Sequence, residues 1–208
     1  MRDAVIFDLD GTLWNPTVRS SEVWNRVLEK YSEVNITMTP QKVSELLGKT
    51  MEEIGEALFP DLSQTDRKTI VDDFGCEEVK YLYENGAVLY DGVEETLKIL
   101  SSQYELYIVS NSQDGYVPAF LHAHKLDIYF KDIEMSGRTG LDKGSNIRLI
   151  IKRNNIKDAV YVGDTEGDEK AARKAGIPFI WAKYGFGKAV SPDGIIEAIN
   201  ELPKALSY

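Results

Sequence analysis

Two aspartates one residue apart, Asp8 and Asp10, follow the apolar run Ala4-Val5-Ile6-Phe7 and precede Gly11-Thr12. Val5, Ile6 and Phe7 read as a strand buried on both faces, the kind found in a parallel sheet. Gly11 lets the chain turn sharply and approach a ligand closely. The carboxylates therefore fall at the carboxyl end of a strand, where open α/β sheets place their ligands. If the extended conformation persists through Leu9, strand alternation points both side chains the same way. Like charges that close are costly unless a cation or a shared proton relieves them. The pattern asks for a metal.

The same character returns at Tyr161-Val162-Gly163-Asp164-Thr165-Glu166-Gly167-Asp168. A buried strand again ends in glycine and carboxylates, with Asp164 at its end and Asp168 in the loop or first helical turn. Asp-Gly pairs also make plain turns in acidic proteins, but two such motifs on adjacent strands favour a site. Hard oxygen donors from separate strand ends suit Mg²⁺. Ser110 ends the strand Leu106–Val109, and Asn111 follows it. A hydroxyl and free backbone N–H groups there can hold a phosphoryl oxygen, although serine at a strand end equally serves a turn or cap. Lys143 precedes a helix that Ser145 is expected to cap. A lone lysine is ordinarily solvated surface, so neither residue carries an assignment by itself.

The elements that position these residues alternate in type. Buried strands are predicted at Ala4–Asp8, Leu106–Ser110, Ala159–Gly163 and Pro178–Trp181, with a further short one at Phe130–Glu134. Helical patterns at Val93–Leu100, Ile147–Ile151 and Glu169–Ala175 precede the later strands. That alternation specifies a doubly wound parallel sheet. From Pro16 to about Asn85 the pattern is purely helical. Val23, Trp24, Val27, Leu28 and Tyr31 share a face. Thr39-Pro40 is an N-cap and first helical residue, and Gly48 a stop for the helix carrying Val43, Leu46 and Leu47. A further helix spans about Thr65 to Glu84, with a break expected near Gly75, before the Asn85-Gly86 turn. The block is too long for a simple crossover and reads as a separate unit joined by linkers at Trp14–Pro16 and Tyr83–Asp91.

Bulk properties set the class. The chain has 208 residues, 43% of them hydrophobic and 28% charged, which suits a soluble protein with a substantial core. A formal net charge of −10 argues against a nucleic-acid polymer or an acidic membrane as partner. The single cysteine, Cys76, cannot form an internal disulfide. No basic-then-apolar leader and no spanning apolar stretch are read, so a cytoplasmic protein is expected.

In this order the DLDGT segment, the strand-end Ser110, Lys143 and the GDTEGD segment resemble the four motifs of the haloacid dehalogenase superfamily, chiefly its phosphatase branch. The likeness spans essentially the whole chain. The helical block sits where that family carries a C1-type cap, as in phosphoglycolate phosphatase-like members. Two positions depart from the common pattern: Asp91 and Gly144 stand where relatives often have proline.

The resemblance implies an α/β, Rossmann-like core of residues 1–15 and 86–208, with an inserted α-helical cap of residues 16–85. It implies Asp8 as the nucleophile that forms an aspartyl-phosphate and Asp10 as the acid and base. Ser110 and Lys143 would hold the transferring phosphoryl group, and Thr12 would orient the nucleophilic loop. Mg²⁺ would be bound by Asp8, the Asp10 backbone carbonyl and Asp164, with Asp168 beside them. Dehalogenating and phosphonate-cleaving relatives lack the second aspartate, so Asp10 favours phosphate esters.

The implied partner is a small phosphorylated metabolite, such as phosphoglycolate or a sugar phosphate. A phosphomutase of the β-phosphoglucomutase type and a nucleotidase or pyrophosphatase remain alternatives. A phospho-aspartate signalling receiver fits less well, since its phosphoacceptor lies on a later strand than its acidic pair and it needs no helical insertion. Trp14, Arg19, Lys49 and Thr50 fall near the expected cap-core cleft, and Asn111 beside the phosphoryl site, so these are candidate substrate contacts. Trp14 also reads as hinge packing. His122 and His124 read as structural or surface residues, and Gly185-Phe186-Gly187 is too slight for a nucleotide site. Monomer and dimer both remain open.

Overall fold

A computed structural model describes residues 3–206. The chain runs through β1 (Ala4–Phe7) and β2 (Trp14–Asn15) into four helices, α1 (Thr17–Leu28), α2 (Pro40–Ser44), α3 (Met51–Leu58) and α4 (Gln64–Asn85). It continues as β3 (Val88–Leu89), α5 (Val93–Ser101), β4 (Glu105–Ser110), α6 (Tyr116–His124), β5 (Phe130–Met135), α7 (Ser136–Thr139) and α8 (Lys143–Arg153). The last part is β6 (Ala159–Gly163), α9 (Glu166–Ala175), β7 (Phe179–Ala182), β8 (Gly194–Ile196) and α10 (Leu202–Ala205).

Six strands form one parallel sheet in the order β5-β4-β1-β6-β7-β8. The chain leaves β1 toward β4 and β5, then returns to its other side for β6, so β1 lies at the topological switch point. Phe7 pairs with Ile108 on one side and Val162 on the other. The three strands thus end within two residues of one another, and the residues at their ends converge.

Strand alternation divides the core. Val5 and Phe7 pack with Leu97, Val117 and Phe120 on one face of the sheet, while Ala4 and Ile6 pack with Ile147, Ile150 and Ala172 on the other. The helical block has a third core of its own, built from residues such as Val23, Trp24, Val43, Ile54 and Phe74. Trp24 and Phe74 stack face to face with ring centroids 4.9 Å apart. No helix among the described residues is long and apolar enough to cross a membrane.

Several local expectations need correction. Helix α4 runs unbroken through Gly75, because the missing side chain there makes room for Gln113, which a Cβ would meet at 3.1 Å. It ends at Asn85, one residue past the expected Glu84. The two linkers are not loose: β2 and β3 pair antiparallel, Trp14 with Leu89 and Asn15 with Val88. Thr39 caps α2 as expected, accepting from the Lys42 N–H, but the helix closes at Ser44 and leaves Leu46 and Leu47 in turns before Gly48. Ser145 does not cap α8; Asp142 does, accepting from the Ser145 N–H at 3.1 Å. Strand β8 escaped the sequence reading because it is a short edge strand with Ile195 exposed.

Phe74 is fully buried in the separate core of the helical block. Phe74→Ala should therefore lower unfolding stability by about 3–5 kcal/mol in urea denaturation. A loss below about 1 kcal/mol would contradict the packing described.

Candidate active site

Asp8 follows β1 and is locked to the neighbouring strand by its N–H, which donates to the Val162 carbonyl at 2.8 Å. Ser110 ends β4 on the other side, and Asp164 follows β6. Capping of α8 by Asp142 brings Lys143, the first residue of that helix, beneath the strand ends. All four side chains are buried.

Asp8, Asp164 and Asp168 each offer a carboxylate oxygen lying within 4.8 Å of the others. The Lys143 Nζ donates to Asp8 Oδ1 at 2.8 Å and to Asp168 Oδ1 at 2.6 Å. Asp168 is the third residue of α9 and closes a capping box with Thr165. Its Oδ2 accepts from the Thr165 N–H at 2.9 Å, the Thr165 hydroxyl at 2.7 Å and the Asp164 N–H at 3.2 Å. Asp164 Oδ2 accepts from the N–H groups of Phe186 at 2.7 Å and Gly187 at 3.3 Å. Two oxygens are buried without a partner: Asp8 Oδ2 and Asp164 Oδ1.

These orphan oxygens carry the fit to a divalent cation. Three carboxylates against one ammonium leave an excess of negative charge out of contact with water. Burial pushes Asp8 up to about 7, reinforced by Asp168 and opposed by Lys143. Burial, then Asp168 and Asp8, holds Asp164 well above the ordinary carboxylate range. Burial also works against the Lys143 ammonium, but Asp168 and Asp8 outweigh it and raise that group well above an ordinary lysine. A hard cation on the two free oxygens would relieve this strain, and all-oxygen donors suit Mg²⁺.

Glycines make the crowding sterically feasible. A Cβ on Gly185 would lie 2.3 Å from Asp164 Cβ, and one on Gly11, whose φ is +81°, would lie 2.3 Å from Asp164 Oδ2. The Gly185-Phe186-Gly187 segment, read from sequence as a slight glycine pair, is therefore the loop that grips Asp164.

Asp10 departs from its expected placement. Strand β1 ends at Phe7, so alternation does not carry through Leu9, and the Asp10 side chain stands outside the acidic trio. Its Oδ1 accepts from the Trp14 indole N–H at 2.7 Å and the Tyr116 hydroxyl at 2.9 Å. Burial raises it to about 7, with those two donors opposing and the Glu78 charge adding to the rise.

The structure treats the candidate substrate contacts unevenly. Trp14 is 0% exposed and packs edge-on against Tyr116, Phe120 and His124. It supports Asp10 and the hinge from behind and offers no surface to a ligand, which corrects its expected place in the cleft. Thr12 is likewise fully buried, with its carbonyl accepting from the Tyr184 hydroxyl at 2.8 Å. Asn111 donates to the Gly48 carbonyl of the helical block at 2.8 Å and accepts from the Ser136 hydroxyl at 3.0 Å. Lys49 is exposed at the cleft between block and sheet. Arg19 pairs with Glu22 on the surface and Thr50 caps α3. His122 stacks on Tyr83 and His124 packs on Trp14, both between elements.

The family described as haloacid dehalogenase-like hydrolase matches residues 5–182 of this chain, a span that contains Asp8, Asp10, Ser110, Lys143, Asp164 and Asp168. The chain belongs to that family. It is a hydrolytic enzyme. Phosphoglycolate phosphatase of Vibrio parahaemolyticus is 26% identical over 95% of this chain and 93% of its own length. Phosphoglycolate phosphatase of Escherichia coli is 28% identical over 97% of this chain and 91% of its own length. Among solved structures, a predicted phosphatase of Clostridium acetobutylicum superposes with a TM-score of 0.85 at 23% identity over 100% of both chains, a likeness of fold.

Sequence reasoning missed three members of this hydrolase's site: Tyr116, Gln113 and Glu78. Glu78 had a signal, since Phe74, Glu78 and Leu82 recur at four-residue spacing and place an acid on an apolar stripe. Tyr116 and Gln113 had none.

Tyr116→Phe removes one donor from the buried Asp10 carboxylate and nothing else. It should lower stability by about 1.5–3 kcal/mol in urea denaturation, and a change under about 0.5 kcal/mol would show that the bond contributes nothing.

Proposed function

We propose that this chain is a Mg²⁺-dependent phosphatase that hydrolyses a small phosphate monoester through a phosphorylated Asp8. The observation that carries the reading is Asp8 itself: one oxygen is bonded to Lys143, and the other is buried and unpartnered beside Asp164. The names of the relatives support phosphate esters as the substrate class.

Asp8 and Asp164 would hold the cation through their free oxygens. Asp168, whose oxygens already take Lys143, Thr165 and the Asp164 N–H, would fix Lys143 and the loop. When bound, Mg²⁺ supplies charge neutralisation to the phosphoryl oxygens and keeps the neighbouring carboxylates ionised. Asp8 attacks phosphorus as the ester P–O bond breaks, giving a phospho-aspartate and an alkoxide. Lys143 and the Ser110 hydroxyl hold the phosphoryl oxygens through that transfer, where positioning and charge are most of the catalysis.

Asp10 moves the proton. Both of its donors meet Oδ1, which leaves Oδ2 as the oxygen to carry the proton. Raised to about 7, the group carries a proton part of the time near neutrality. It gives that proton to the leaving alkoxide, then takes one from the water that cleaves the phospho-aspartate. Inorganic phosphate and free Asp8 result.

The helical block, residues 16–85, serves as the cap. The cavity it closes over Asp8 and Asp10 has a free volume of only ≈ 20 Å³, about the room of one water. A substrate enters only when block and sheet separate, which breaks the Asn111–Gly48 hydrogen bond. The paired linkers β2 and β3 are the natural hinge.

With Mg²⁺, the purified protein should release phosphate from members of a panel of small phosphate esters. Asp8→Asn should cut that rate by on the order of 10⁴-fold or more with an unchanged circular-dichroism spectrum; robust turnover by the variant defeats the nucleophile assignment. Gly185→Ala drives a Cβ into Asp164. It should weaken Mg²⁺ binding, followed by calorimetric titration, by about 10–100-fold, and unaltered binding would place the cation elsewhere.

A further inference from the structure

Among the described residues the reaction leaves three buried acids unused: Glu134 pairs with Arg153, Glu169 accepts from the Val190 and Ser191 N–H groups, and Glu78 is the third. Glu78 lies on α4 and is 2% exposed, yet no cation among the described residues pairs with it. Gln113 Nε2 donates to its Oε2 at 2.9 Å, while its Oε1 is buried without a partner. Ser20 Oγ and Trp24 Nε1 are also buried, and both lie against the Glu78 carboxylate and favour its charged form without completing a hydrogen bond to it. Burial nonetheless outweighs them and raises the group above an ordinary glutamate. Glu78 and Trp24 line the cavity that holds Asp8 and Asp10. Three buried polar groups that meet without completing their hydrogen bonds are costly to keep unless a ligand completes them.

We propose that Glu78 and Trp24 form a specificity site for a neutral hydroxyl at the far end of the substrate. The enzyme then acts on phosphate esters of polyols or sugars in preference to those of carboxylic acids. This rests on the reading of the site as a phosphatase.

Hydrogen-bond bookkeeping selects the hydroxyl. It donates to Glu78 Oε1 and accepts from the Trp24 indole N–H, which only donates. An ammonium satisfies Glu78 but accepts nothing from Trp24. A carboxylate accepts from Trp24 but meets Glu78, and two carboxylates at that distance cannot both stay ionised. It would have to bring a proton with it. Lys49 is the only cationic residue among those lining the cavity, and it is exposed, where a charge pair contributes little. A site built to hydrogen-bond a hydroxyl discriminates strongly against a ligand without one, because its own groups are then stranded.

The experiment compares kcat/KM for glycerol 1-phosphate, sorbitol 6-phosphate, ethanolamine phosphate and 2-phosphoglycolate, in wild type and Glu78→Gln. Wild type should favour a polyol ester over 2-phosphoglycolate by about 100-fold, with ethanolamine phosphate between them. Glu78→Gln should shrink that ratio by about 10-fold or more, in part through faster turnover of 2-phosphoglycolate. Equal or better use of 2-phosphoglycolate by wild type, or a ratio that the variant leaves unmoved, overturns the proposal.

Binding of the same esters to Asp8→Asn, followed by calorimetry, reads the preference without turnover and without altering Glu78. Tighter binding of the polyol esters supports the site, and the reverse order overturns it. If wild type releases phosphate from none of the esters, nor from p-nitrophenyl phosphate, the phosphatase reading fails and the binding order alone decides the role of Glu78.

Discussion

The structure is organised around a repulsion. Asp8, Asp164 and Asp168 are pressed together out of water, with Lys143 alone inside the cluster to oppose them. Such a cluster survives only where backbone and packing leave the carboxylates no room to part. The parallel sheet supplies that constraint: Phe7 of β1 is level with Val162 of β6, so Asp8 and Asp164 leave adjacent strands only one residue apart in register. The capping box of α9 fixes Asp168 from the third side, and the 185–187 loop fixes Asp164 from the fourth. Close approach at these points is the reason for Gly11, Gly163 and Gly185, each of which would clash with a site aspartate if it carried a Cβ.

Within that frame two neighbouring aspartates acquire different chemistry. Asp8 is bonded to a cation and kept beside two further carboxylates. Asp10, two residues on, is turned away and held by the neutral donors Trp14 and Tyr116. The first environment favours an ionised group once the local charge is balanced. The second favours a group that gains and loses a proton near neutrality, since desolvation dominates and no ammonium touches it. The turn after Phe7 is what separates them. An extended chain through Leu9 would have placed both carboxylates in one cluster and lost the division.

The acidic site was legible in sequence because its parts are local. Each aspartate sits where an apolar run stops at a glycine-rich turn, and the run marks a buried strand whichever fold it joins. The alternation of strand and helix gave the sheet for the same reason. What was not legible depends on distant segments meeting. The indole of Trp14 looks like cleft material beside Asp8, yet α6 arrives from a hundred residues away and buries it under Tyr116 and Phe120. Gly75 reads as a helix break until Gln113 is seen lying in the gap. Asp142 and Ser145 both suit a helix cap, and only the backbone decides between them. Boundaries of two- and three-residue strands carry no periodicity at all.

Glu78 shows how the helical block and the sheet divide the work. On the proposed reading, the groups on the sheet deal with a phosphoryl group, which every substrate of the class shares, and they are fixed by paired strands. The groups on α1 and α4 would then meet whatever the phosphate is attached to, and they belong to a block with its own core and a two-stranded connection to the sheet. A charged side chain on the apolar stripe of α4 would weaken a helix whose only task was packing. Gln113, from the sheet side, donates to it across the closed cleft, so Glu78 gains its partner only when the two parts meet. Closure thus places a carboxylate and its unsatisfied neighbours over the reacting centre at the moment substrate is enclosed. A ligand that satisfies them stabilises the closed arrangement, and one that does not leaves them stranded. Discrimination in this arrangement comes from the free energy of closing, while the aspartates of the sheet remain the same for every ester.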